Sequence, residues 1–125
     1  MKILTLSIKQ KFFDEIREGT KKEETREIRA KTADKYIEYL YEGKRMKAKD
    51  VPPDAQGVEC VPVQYDAIRF LTGEYKGTRP SMLVEVKGAG ITILTDEKGN
   101  DLVYMYEGQE YVESEIVYNL GKILE

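Results

Sequence analysis

Gly19, Lys21, Glu24 and Arg26 place a lysine, a carboxylate and a guanidinium within reach of one ligand just after a turn. They stand in the stretch Gly19-Thr20-Lys21-Lys22-Glu23-Glu24-Thr25-Arg26. A lysine follows directly on a turn glycine and its neighbour, and a glutamate and an arginine come three and five residues after that lysine. In an extended strand, side chains alternate between faces, so Glu24 and Arg26 share one side. The cations of Lys9, Lys21 and Arg26 can donate charge-assisted hydrogen bonds to a phosphate or a base carbonyl. Glu24 can accept from an exocyclic amine and orient Arg26. A neighbouring tyrosine, Tyr36 or Tyr75, could stack on a base, a contact of about 1–3 kcal/mol. The same groups can instead pair with one another as a surface ion cluster, which stabilises little when exposed. The residue pattern alone leaves both readings open.

The composition narrows the chemistry around this stretch. The chain of 125 residues has no histidine and one cysteine, Cys60. Without histidine, the commonest general base and metal ligand are missing, and Ser-His-Asp, Cys-His and structural zinc sites are excluded. No spacing of carboxylates suggests a bound cation, so neither a metal nor another cofactor is expected. One cysteine allows no internal disulfide, gives no reason to expect a disulfide-linked partner and fits a reducing cytoplasm. No apolar run approaches the roughly 20 residues that span a bilayer, and the start, MKILTLSIKQKFF, lacks a secretory signal pattern, so no membrane association is expected. The net charge of −3 hides an asymmetry: 14 basic and 10 acidic residues up to position 50, against 6 and 13 beyond it. Any anion-binding surface is therefore expected in the first half.

The elements that must position the stretch follow from periodicity. Residues 2–8 alternate, with Leu4, Leu6 and Ile8 on one face, which predicts a strand. Residues 10–18 switch to helical spacing, with Phe12, Phe13 and Ile16 as the buried stripe and Gly19 as the stop. Residues 22–29 read as an unusually polar strand. Residues 33–42 read as a second helix, capped by Thr32, buried through Tyr36, Ile37, Leu40 and Tyr41, and ended by Gly43. The basic run 44–49 reads as a solvated connector opening a loop insertion over about 44–64. Strands are expected at 67–71 and from 81 onward, with a bend at Gly88 and Gly90, a hairpin elaboration over about 96–113, and a last strand within 115–124. Two helices near the N-terminus and five to seven strands give one α+β domain over 1–125. Its sheet is expected to be mostly antiparallel and curled into a small barrel.

The order strand, short helix, then a glycine-led G-x-K-x-x-E-x-R stretch resembles the ASCH domain family of the PUA-like superfamily. The resemblance rests on Leu4-Thr5-Leu6-Ser7-Ile8-Lys9, Phe13, Ile16, Gly19, Lys21, Glu24 and Arg26, and more loosely on Tyr65-Asp66-Ala67-Ile68-Arg69-Phe70 and Met82-Leu83-Val84-Glu85-Val86. It implies a PUA-like curled β-barrel and a module that binds RNA, a nucleotide or a modified nucleoside in a cleft lined by Lys9, Lys21, Glu24 and Arg26. Some members of that family are amidohydrolases that act on N4-acetylcytidine, and the resemblance would then make Lys21 and Glu24 catalytic. In that branch a threonine stands three residues after the lysine; here that place holds Glu24, and Thr25 points to the other face.

Overall fold

The computed structural model describes residues 1–73 and 79–125. Tyr75 and Lys76, placed by the sequence in a loop over 73–80, lie outside the described residues. The strands are β1 (Ile3–Ser7), β2 (Glu23–Ile28), β3 (Ile37–Tyr41), β4 (Lys44–Met46), β5 (Glu59–Pro62), β6 (Ala67–Leu71), β7 (Ser81–Ile93), β8 (Val103–Tyr106), β9 (Gln109–Val112) and β10 (Ser114–Ile123). Two α-helices, α1 (Gln10–Glu18) and α2 (Ala33–Tyr36), lie between β1 and β3. The class is α+β, with strands predominant. The larger sheet has the order β1-β6-β7-β10-β2, and smaller sheets have the orders β4-β3-β5 and β8-β9.

The chain forms two compact units, one of residues 1–24, 64–89 and 118–125, the other of residues 25–63 and 90–117. In the first unit, β1 pairs in parallel with β6, Leu4 opposite Ile68 and Leu6 opposite Phe70. β6 pairs antiparallel with β7, Phe70 opposite Met82. The parallel pair departs from the expected antiparallel habit because β1 and β6 are far apart in sequence, and parallel neighbours need a long crossover rather than a hairpin. Leu4, Leu6, Phe13, Ile16, Ile68, Phe70, Met82, Val84 and Tyr118 are buried in this unit. The one-sided burial of β1, with Ile3, Thr5 and Ser7 outside, follows its alternation. Phe12 departs from the expected stripe: it is 38% exposed, while Phe13 and Ile16 bury.

The second unit revises two sequence-based expectations. The helix expected over 33–42 stops at Tyr36, and Ile37–Tyr41 is strand β3. Gly43 does not end a helix; with Glu42 it closes a two-residue hairpin between β3 and β4, Tyr41 opposite Lys44. Glu42 and Gly43 have φ of 51° and 76°, the backbone that a type I′ turn requires at both central positions. The segment expected as a loop over 44–64 holds β4, a single 3-10 turn (Ala48–Asp50) and β5, which pairs with β3 on its other side. Two residues of its basic run are bonded to the fold: Arg45 donates to the Glu38 carboxylate at 2.7 Å and to the Pro62 carbonyl at 3.0 Å. Lys47 Nζ donates to the Asp34 carbonyl at 2.6 Å.

The expected hairpin is present. β8 and β9 pair around Glu107-Gly108, with Tyr104 opposite Tyr111. The second turn of this segment is held by Asp96, whose carboxylate accepts from the backbone N–H groups of Lys98 (2.8 Å) and Asn100 (2.9 Å). Those bonds, the one from Asn100 foremost, favour the charged form and hold this carboxyl below the ordinary aspartate value. Among the described residues, no helix is long and apolar enough to cross a membrane.

Candidate functional site

The site begins with how α1 ends. Gly19 takes φ 84°, a left-handed cap for which glycine carries no Cβ penalty. The chain then folds back on the last turn. The N–H groups of Thr20 (3.0 Å) and Lys21 (3.1 Å) both donate to the Glu15 carbonyl, and the Thr20 hydroxyl donates to it at 3.2 Å. This wrap brings Lys21 beside the helix it has just left, with its ammonium 5.3 Å from the centroid of the Phe12 ring. Phe12 is thus exposed because it supplies an aromatic face to a cation, an attraction of about 0.5–1 kcal/mol at a wet site.

From that corner the chain enters β2. Its burial alternates, with Glu24 and Ile28 covered, Arg26 half-buried, and Glu23, Thr25 and Glu27 outside. The Lys21 ammonium lies 3.3 Å from the Glu24 carboxylate, their side chains 23% and 8% exposed. The structure therefore brings Lys21 and Glu24 together. Lys9 is an exposed N-cap of α1, whose carbonyl accepts from the N–H groups of Phe12 and Phe13. Arg26 belongs to the second unit. Tyr36, a candidate stacking residue, is buried at 6% exposure and so packs in the core.

A hollow of about 410 Å³ opens in the first unit, walled by the Gly19–Lys22 corner, Glu85 and Lys87 of β7, and Leu120, Gly121 and Lys122 of β10. Of Lys9, Lys21 and Glu24, it is Lys21 that borders it. The far wall is joined to the near one by the Leu120 N–H, which donates to the Lys22 carbonyl at 2.9 Å. Four lysines and one glutamate border the hollow. Gly121 is closely approached: the Glu85 carboxylate and the Lys87 stem occupy the space a Cβ would take, so a side chain there would displace the end of Glu85. The Glu85 carboxylate thus lies against the backbone of β10, where the Lys122 N–H donates to it at 3.4 Å.

Lys87 and Lys122 were not legible as site residues. They come from the half of the chain that is acidic overall, 100 residues apart from the motif in the case of Lys122, and only strand pairing returns them to the Gly19 corner. What the arrangement can do chemically is hold a multiply charged anion. Ammonium groups on flexible stems donate to phosphate oxygens as point charges, and a cluster of one sign raises the local concentration of its counter-ion. No protein-family model, no curated protein and no solved structure matches the chain.

Proposed function

We propose that the protein is a binding module of the ASCH, PUA-like type that holds a phosphate-bearing ligand, RNA or a nucleotide, in the lysine-bordered hollow of its first unit. The observation that carries this reading is the convergence of Lys21, Lys22, Lys87 and Lys122 on one concavity from three separate stretches of chain. A structural ion cluster accounts for the Lys21–Glu24 pair alone; it gives no reason for three further lysines to gather around the same space. The sequence motif supports the family assignment, and Arg26, on the covered side of β2, is its third member. The hydrolytic reading has less support, since burial along β2 turns Thr25 outward and away from Glu24.

Phosphate is the shared chemistry of the two ligand sources, and titration calorimetry distinguishes them. We expect ATP to bind at 50 mM salt and to weaken as salt rises, and a ten-nucleotide single-stranded RNA to do the same more steeply. The logarithm of affinity for a single strand falls by about 0.7 per neutralised phosphate for each tenfold rise in salt. Saturation by ATP identifies a nucleotide site, and saturation by the RNA alone identifies a strand-tracking one. Failure of both at low salt overturns the proposal.

A further inference from the structure

The second unit contains a separate cavity of about 320 Å³ bordered by Tyr39, Tyr104, Tyr111, Asp34 and Cys60 over an aliphatic floor that includes Ile37. Its volume is at the small end of the range for ligand pockets. The aromatic wall is built by the β8–β9 hairpin. Tyr104 and Tyr111 are cross-strand partners with rings stacked 5.6 Å apart at 22°. The Tyr104 hydroxyl accepts from the Ala30 N–H at 3.0 Å, which fixes the hairpin's aromatic side over the end of β2. The opposite wall comes from Asp34 of α2 and from Tyr39 and Cys60, which face each other across the β3–β5 pairing.

The polar groups at this cavity select by type. Arg29 is the cation on its border, and that guanidinium is committed: it donates twice to the Glu27 carboxylate, at 3.0 and 2.8 Å, and sits over the Tyr104 ring. The cavity therefore offers a phosphate little. Asp34 is exposed and its carboxylate is an acceptor on the rim. The Tyr39 phenol is held above its ordinary pKa, first by burial and then by Cys60 and Asp34, and so remains a protonated donor. An acceptor and a donor bordering one cavity, together with stacked aromatic rings, are complementary to one kind of ligand edge.

We infer that this cavity is a binding site for a small planar heterocycle bearing an amino group next to a ring nitrogen. The amino group donates to the Asp34 carboxylate, the ring nitrogen accepts from the Tyr39 hydroxyl, and the ring packs against the tyrosine wall. Stacking on aromatic side chains supplies affinity with little regard to ring identity, and the paired hydrogen bonds supply selection. The inference is independent of the lysine-bordered hollow, because the edge it recognises carries no phosphate.

The test uses the full chain and free 2-aminopurine base, whose emission is quenched on stacking. The protein has no tryptophan, so the probe's signal stands apart from the protein's. We expect saturable quenching and competition by adenine. Hypoxanthine, with a carbonyl in place of the amino group, should compete about tenfold less well, because the Asp34 carboxylate would face an acceptor in place of a donor and lose a charge-assisted hydrogen bond. Asp34→Ala, at an exposed position that leaves the fold intact, should weaken binding about tenfold, and Tyr111→Leu should also weaken it. The Lys87→Glu/Lys122→Glu variant should bind the base as the unaltered chain does. Quenching that never saturates up to millimolar base, or an Asp34→Ala variant that binds as before, overturns the inference.

Discussion

Reversing two charges, Lys87→Glu with Lys122→Glu, is expected to weaken binding of ATP or RNA by at least about 100-fold at 50 mM salt. A hydrogen bond to a charged group contributes about 1.5–3 kcal/mol, so loss of two costs roughly 3–6 kcal/mol, where about 1.4 kcal/mol is a factor of ten. The new carboxylates would add repulsion next to Glu85, which already faces the same space. Both lysines are exposed, so the substitutions should leave the melting temperature nearly unchanged. The matched control is Lys44→Glu with Lys49→Glu, which alters net charge equally but lies in the second unit. Neither Lys44 nor Lys49 borders the hollow, so the control should lose far less affinity than the Lys87→Glu/Lys122→Glu variant. Calorimetric titration of the two variants side by side separates a local site from a general effect of charge. Equal losses in both would mean that no local site exists.

The largest effect on stability is expected from Phe70→Ala. Phe70 has 0% exposure, and its strand neighbours are Leu6 on one side and Met82 on the other. Removing a buried phenyl ring costs the transfer energy of the lost atoms and leaves a cavity, together about 3–5 kcal/mol. A domain of this size is stable by about 5–15 kcal/mol, so the variant would lose a large part of its margin. Chemical denaturation followed by circular dichroism checks this. Arg69→Ala, one residue earlier, removes a guanidinium that is 33% exposed and 3.4 Å from the Glu125 carboxylate. Such a pair contributes little, and the variant should stay within about 1 kcal/mol of the unaltered chain. If Arg69→Ala proves as damaging as Phe70→Ala, the assignment of faces on β6 is wrong.

The parts of the fold that were legible in the sequence are those where one local pattern had one structural solution. β1 and α1 were plain because alternation gives way to helical spacing at Gln10, and because Gly19 is favoured at a left-handed helix cap and costs about 1 kcal/mol in a helix interior. β6 emerged as expected, with Ile68 and Phe70 covered. The helix expected over 33–42 failed because Tyr36, Ile37, Leu40 and Tyr41 fit a helical stripe and a strand covered on both sides about equally. Gly43 did not discriminate, since a helix cap and a type I′ turn both want positive φ there. What decided the matter is pairing on both edges of β3 by β4 and β5, which is not a local property. A signal was available in the hairpin: once Glu107-Gly108 is read as a two-residue turn, Tyr104 and Tyr111 must face each other.

The candidate site was half legible. The corner at Gly19 and the nearness of Lys21 to Glu24 follow from a turn and a short spacing, both local. Phe12 was assigned to the core because helical spacing marks a stripe without saying how wide the covering surface is. Its ring instead meets the Lys21 ammonium, a contact made only after the chain wraps back on Glu15. Lys87 and Lys122 were hidden by averaging. The second half is acidic as a whole, yet two of its six basic residues lie on the same hollow as Lys21 and Lys22. Net charge by segment describes a chain, whereas a binding surface is assembled by strand pairing.

One concavity, walled by the Gly19–Lys22 corner and by β7 and β10, is proposed to receive the phosphates of the ligand. Amide chemical-shift mapping during titration with ATP tests it most directly. Saturable shifts concentrated at Lys21, Lys22, Lys87, Gly121 and Lys122 are expected. Shifts gathered instead on the basic run 44–49, or no saturable shift anywhere, would contradict it.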